Sequence, residues 1–506
     1  MKKLLTALIF ILFFASCGNR NGQIEDEAII EPEINGGYEN IVEPEPERPA
    51  PEIPRYNEYR VSLEINPEER TVHGISEITF TNRNDVPLET IVLRAYLNAF
   101  AEDTDAPVFS ELEWRAFPNG RDYGFLDIQY AFVDNEPVEI ETDETVITIN
   151  LSAPLEPNST VQLLLQYDAL IPLIAHNTGG NENALWFGMF LPVLSVFDEE
   201  GENGWHTEPY YRAGNPFLLE TANYRVDVTT PARYVVVGTG LRTEEVIGDT
   251  DTKITHFTAH QARDFAFAVS PYFQHAYTST ESSIDIHLYY YTDPLAVDDV
   301  LTSARRSIEF FEEHVGIYPL GKVTIVETEQ MQDSVSFSQI VFMDSWYLTR
   351  GGRNRGLAHG LGNQWFASVV GTNRISEPWL TNGLTRFVQA GITNETPEEL
   401  FVHMERDYVS ISASGNLILA RGLDTSSTWS HYAHTHGRKA MLMIYALHQL
   451  MGAELFWEFI AEYYQTYSFN IATTNDFIEL AETFYGDSLT DFFGEWFNNG
   501  TVPPMP

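Results

Sequence analysis

The apolar residues of this 506-residue chain change their period part-way along, and that change bounds the fold. From about Tyr56 to Tyr277 they alternate over short runs, as at 59–65, 74–80, 146–149 and 161–165, with turn residues between them. Alternation at period two sends successive side chains to opposite faces, so this stretch predicts antiparallel sheets. After strands near 284–291 the period lengthens to that of a helix. Residues 297–315, 356–369 and 438–451 each read as one helix, and 474–497 as two short helices rich in Phe and Trp. Strands first and helices afterwards is an α+β arrangement. We expect an N-terminal antiparallel β domain, a saddle or sandwich, over 55–277 and a mostly helical domain over 278–506. There is no internal repeat.

The first 54 residues belong to neither domain. Lys2 and Lys3 precede an apolar run over 4–14 and then Phe14-Ala15-Ser16-Cys17. The run is too short to span a bilayer comfortably and reads as a secretory signal. Small residues just before Cys17 resemble a bacterial lipobox, which implies lipidation at Cys17 and cleavage before it; an ordinary signal peptide with an incidental Cys is the alternative. Cys17 is the only cysteine, so disulfides and cysteine metal sites are excluded from the mature chain. Residues 18–54 are rich in Glu and Pro, which cannot bury a core and stay extended. They read as a stalk, or as a tail without mechanical purpose. The formal charge of −44 argues against nucleic acid as a partner. The expectation is a protein lipid-anchored at the outer face of a bacterial membrane, in the cell envelope.

Chemistry, where it can be read, centres on His359-Gly360-Leu361-Gly362-Asn363, followed by Gln364-Trp365-Phe366 and, later, by Trp379-Leu380-Thr381-Asn382-Gly383. A helical H-E-x-x-H sets two imidazoles one turn apart on one face, where both reach one zinc, with the Glu as general base. Here Gly360 stands where the base belongs and Asn363 where the second imidazole belongs. The flanking residues resemble the aminopeptidase N family, which includes leukotriene hydrolase: there Q-W-F follows the second His, and W-L-N-E-G supplies a Glu as third ligand. Asn382 takes that Glu's place. The resemblance implies a thermolysin-like second domain and covers nearly everything after residue 54.

Two further family positions differ. The family's substrate loop carries a Glu that binds the free amine of the substrate; anchored on Ile340-Val341-Phe342, the matching position is Ser336. The family's oxyanion-stabilising Tyr precedes a Lys-Gly or Lys-Ala pair. Lys439-Ala440 fits that pair, which puts Gly437, or with a gap His434, at the Tyr position, with Tyr432 out of register. A general base typically contributes about 100- to 10,000-fold and an oxyanion donor about 100- to 1,000-fold. Amides are weak zinc ligands beside imidazole and carboxylate. His359 is thus the sole retained ligand of a degenerate site, and no cofactor is expected.

The function that follows is binding: a pseudopeptidase taking a peptide or protein partner in the cleft between the two domains. One alternative is an active zinc aminopeptidase with non-standard ligands, for which His431, His434 and His436 are candidates, with Glu327, Glu329 or Glu377 as a replacement base. Another is an accessory subunit of a membrane transporter or export complex. The segment 204–211, which joins His206, Glu208 and two tyrosines, reads as structural or as a pocket rim.

Overall fold

Strand alternation in the first half produces three sheets that enclose one apolar core. A computed structural model describes residues 55–246, 251–292, 296–350, 353–394 and 396–504. Cys17 and the expected signal and stalk lie outside the described residues. No described helix is long and apolar enough to cross a membrane.

The largest sheet has eight strands, in the order Leu241–Val246, Thr252–Ala262, Ala222–Pro231, Asn57–Asn66, Thr71–Thr81, Thr160–Leu170, Phe125–Val133, Glu136–Pro137. Its pairs are antiparallel except one, where Asn57–Asn66 runs parallel to Ala222–Pro231. Along Asn57–Asn66 the buried residues are every second one, with Tyr59, Val61, Leu63 and Ile65 inside. Two four-stranded sheets complete this half.

The second half opens with a five-stranded sheet in the order Gln274–Ser279, Asp285–Tyr290, Lys322–Thr328, Ile340–Asp344, Ser334–Phe337. Its inner strands run parallel. Ile340–Asp344 is an unbroken apolar run because both of its faces are covered. Ile340 and Phe342 enter the core of the first half, while Val341 and Met343 enter the core of the second. The boundary near 277 is therefore not a gap: this sheet is a wall shared by both cores, and residues 53–506 hold together as one unit.

Helices pack on the other face of that wall. The first, Val297–His314, matches its sequence expectation to one residue. Thr474–Tyr485 and Thr490–Asn498 are the two short helices. The first of these begins with a Thr473–Asp476 capping box and ends at Gly486 in the left-handed conformation, φ 80°. The other two expected helices are interrupted. Instead of one helix over 356–369, an α-helix Arg353–Asn363 passes into a π turn, Gln364–Val369. All six residues of that turn are buried, more than a single amphipathic face can hide. The expected 438–451 helix is Ala440–Met451, preceded by a second π turn, Ala433–Lys439.

Candidate functional site

The helix Arg353–Asn363 presents the degenerate motif, and its packing explains why the frame persists around it. Gln364 is fully buried: its Oε1 accepts from Tyr318 Oη and Gln339 N, both at 2.9 Å, and its Nε2 donates to the Phe337 carbonyl at 2.9 Å. Trp365 stacks on Phe311 with centroids 4.8 Å apart and donates Nε1–H to the Gly316 carbonyl. Trp379 donates Nε1–H to Thr474 Oγ1. These side chains hold helices and sheet together whether or not a metal is bound.

The positions expected to have lost chemistry have been absorbed into packing. Ser336 Oγ donates to the carbonyl of Gly360, and Ser334 Oγ to that of Gly356, 2.9 Å away. The residue at the amine-anchor position thus bonds directly to the residue at the base position. Edge strand Ser334–Phe337 lies against the helix, and the glycines permit that approach. A Cβ at 360 would stand 2.7 Å from Val341 Cγ1 and 3.0 Å from Ser334 Oγ; one at 362 would stand 2.6 Å from Phe311 Cζ. Gly360→Ala gains about 1 kcal/mol of helix propensity but incurs an overpacking cost of about 1–3 kcal/mol. We expect it to destabilise the fold, read as a lower urea midpoint; an unchanged or higher midpoint would mean that the strand yields freely. A glutamate at 360 meets the same obstruction at its Cβ.

Both asparagines are committed to structure. Asn363 Oδ1 accepts from Thr385 Oγ1 at 3.2 Å, joining the motif helix to Pro378–Thr393. Asn382 Nδ2 donates to the Pro378 carbonyl at 2.7 Å and to Tyr432 Oη at 3.1 Å. Tyr432, out of register in sequence, nevertheless reaches the third-ligand position, because the Trp429–Tyr432 turn and the π turn after it carry the chain past the second helix. Gly437 fulfils a different need: a Cβ there would lie 2.8 Å from Arg386 Nε. The absent side chain leaves room for a guanidinium.

Two arginines bear on the charge of the retained imidazole. His359 Nδ1 is buried and has no hydrogen-bond partner. Burial, together with Arg386 and Arg374 nearby, pulls its imidazole down to about 3, so it is neutral at physiological pH. Sequence reading missed both arginines. Arg386 could have been found, since it follows Asn382 by four residues on a helix and so shares its face. Arg374, beyond the short strand Gly371–Thr372, carries no local signal.

The alternative ligands do not assemble around His359. Residues 431–436 are helical, and Tyr432, Thr435 and His436 among them are buried. His431 Nε2 meets the Asn416 carbonyl at 3.0 Å, and His436 is buried against the Tyr432 ring. Among the described residues no three His, Cys, Asp or Glu side chains are grouped to hold a metal ion. Glu327 accepts from the Tyr291 and Thr292 amides, and Glu377 from the Thr474 amide, so both serve as local structural acceptors. Lys439 Nζ, on the pair used for alignment, is buried against the carbonyls of Leu417 and Asn499. The 204–211 segment is structural: His206 is clamped between Asp198 and Glu208 at 2.8 and 2.7 Å, and Tyr210 packs on Tyr96, Phe100 and Phe217.

Residues 301–496 match the Peptidase family M1 domain. The chain thus resembles that family over much of its second half. Its two-part fold is also that of solved M1 enzymes. The M1 zinc metallopeptidase of Deinococcus radiodurans superposes with a TM-score of 0.67 at 18% identity, over 89% of this chain and 95% of that one. A point mutant of that enzyme bound to a Tyr-Ser-Ala substrate superposes at 0.65, again at 18% identity, over 89% of this chain and 96% of that one. At such identity the likeness is one of fold. No curated protein matches the chain. Zinc is the metal of the matched M1 enzymes, and the residues here do not fit it: one neutral imidazole, two amides engaged elsewhere, and two guanidiniums close by.

Proposed function

We propose that this chain is a non-catalytic M1-fold protein that acts by binding a peptide or protein partner in the cleft between its β-rich and helical halves. A lipid on Cys17 holds it at the outer face of a bacterial membrane, with residues 18–54 as the stalk. The observation that carries the reading is that the ligand positions are taken up by packing: Arg386 lies against Gly437 where the resemblance places the oxyanion Tyr, and Asn363 and Asn382 spend their amides on helix-to-helix contacts. Amides are weak zinc ligands, and these two are engaged with protein partners. The relative that holds Tyr-Ser-Ala supports a short peptide as a fitting occupant of a cleft of this shape.

The deciding experiment is equilibrium dialysis of the purified chain against zinc, followed by assay with amino-acid anilides and short peptides. We expect no stoichiometric tight zinc and no turnover. One zinc per chain, with hydrolysis abolished by His359→Ala, would establish the active-enzyme alternative instead.

A further inference from the structure

We propose that a recess between the two halves, at the end of strand Ile340–Asp344, takes a cationic side chain, Lys or Arg, of the bound peptide. The inference rests on the binding function proposed above and deepens it, since it gives the occupant a place and a chemistry.

The β-rich half lines this recess with Trp114, Arg115 and Ala175, and the second half with Glu329, Asp344 and Trp346. Its volume is about 490 Å³, within the range of about 300–1,000 Å³ that ligand sites occupy. Backbone hydrogen bonds fix the two sides against each other. The Ala175 amide donates to the carbonyl of Ala116, in the same turn as Trp114, and the Met331 amide donates to the Ala175 carbonyl, both at 2.9 Å. Beside Met331, the Gln330 amide donates to Asp344 Oδ2 at 2.9 Å, and the Trp346 amide donates to Oδ1 at 3.0 Å. Main chain therefore positions both the carboxylate and the residues that carry the indoles.

The side chains favour a cation. Trp114 is 73% exposed and Trp346 52%, large aromatic surfaces of the kind that mark contact sites. Asp344 is only 8% exposed; burial, with Glu329 adding repulsion, raises it above the usual carboxylate range. Arg115 attracts it, but among the described lining residues that one positive charge faces two carboxylates. An arriving cation relieves the excess, and indole faces attract it through their quadrupole. A carboxylate ligand would meet its own sign, and an apolar one would cover Asp344 and Glu329 without a partner. The chain's overall charge of −44 draws cations to any part of its surface, so selectivity has to come from the recess itself.

The test uses the full chain and N-acetylated, C-amidated fluorescent hexapeptides that are uncharged except at one central residue: Lys, Arg, Glu or, as the neutral reference, Gln. Fluorescence polarisation is expected to show the Lys or the Arg peptide bound about tenfold or more tightly than the Gln peptide, a difference of about 1.4 kcal/mol. The Glu peptide is expected to bind most weakly. Trp114→Ala alters no charge, and is expected to cut the preference to about threefold or less, with partial recovery in Trp114→Phe. Should Trp114→Ala not fold, the unmodified chain decides: acetylating the Lys side chain of the peptide is expected to reduce its affinity to that of the Gln peptide. Equal affinity for the Lys, Arg and Gln peptides would overturn the cation recess and leave the binding function standing. A preference for Lys or Arg that Trp114→Ala leaves intact would place the cation elsewhere on the acidic surface and overturn it too. Absence of binding by every peptide would overturn both.

Discussion

Replacing Arg263 with alanine is expected to lower the free energy of unfolding by about 3–5 kcal/mol, the cost typical of breaking a buried charged network. Arg263 follows strand Thr252–Ala262 and is buried. Its Nη1 donates to the Leu219 carbonyl at 2.7 Å, its Nη2 to Val369 and Asn470 at 3.2 and 3.0 Å, and its Nε to Ser368 at 3.3 Å. One side chain thus ties the β-rich half to the end of the motif π turn and to the turn before Ile471–Ala472. Burial pulls the guanidinium down only to about 10, so it is charged while it does this. Alanine would leave four carbonyls without that donor. Lysine retains the charge but not the fork, so Arg263→Lys should recover less than half of the loss. Urea unfolding followed by Trp fluorescence reads the change; a loss below about 1 kcal/mol in Arg263→Ala would show that water replaces the guanidinium at little cost.

Acid is expected to destabilise the fold through its buried histidines. Burial depresses His176 to about 4 and His436 to about 3. His176 Nδ1 accepts from the Asn177 amide at 2.9 Å and its ring lies on Phe100, while His436 is 1% exposed with Nδ1 unpartnered. Both are neutral in the folded state and gain protons near their ordinary value when unfolded. The unfolded chain therefore binds more protons below about pH 6.5, and stability falls as pH drops through that value. From the two depressed values, the loss is about 2 kcal/mol for each by pH 5. His359, at about 3, adds in the same direction. His206 opposes them. Burial works against its protonation, but the bonds to Glu208 and Asp198 outweigh burial and raise it. Its contribution is full at low pH and fades as pH rises through its folded value. Asp264, raised to about 6 by burial, opposes them too by taking up its proton as the pH falls, whereas His287, depressed to about 4, adds to them, so the histidines outweigh the opposing groups. Unfolding free energies at pH 7.5 and pH 5 should differ by about 4 kcal/mol or more, and a flat profile over that range would refute the buried-neutral assignment.

The fold was largely legible because its signals are local. Alternation in Asn57–Asn66 and the helical period of Val297–His314 each follow from side chains that must share a face within one element. Where the reading failed, the reason was also physical. Gln364–Val369 buries every residue, so periodicity could not reveal that the helix widens into a π turn. Ile340–Asp344 is covered on both faces, so its unbroken apolar run could not reveal that one sheet serves the cores of both halves.

At the site, sequence alone determined what was missing: no carboxylate at 360 or 382 and no imidazole at 363, since residue identity fixes donor chemistry before any folding occurs. Only tertiary structure decided what took its place. Ser336 bonds to Gly360 across 24 residues of chain, Tyr432 reaches Asn382 across 50, and Arg386 fills the space beside Gly437. Those meetings depend on how helices and an edge strand pack against one another, and no periodicity within a single segment encodes them.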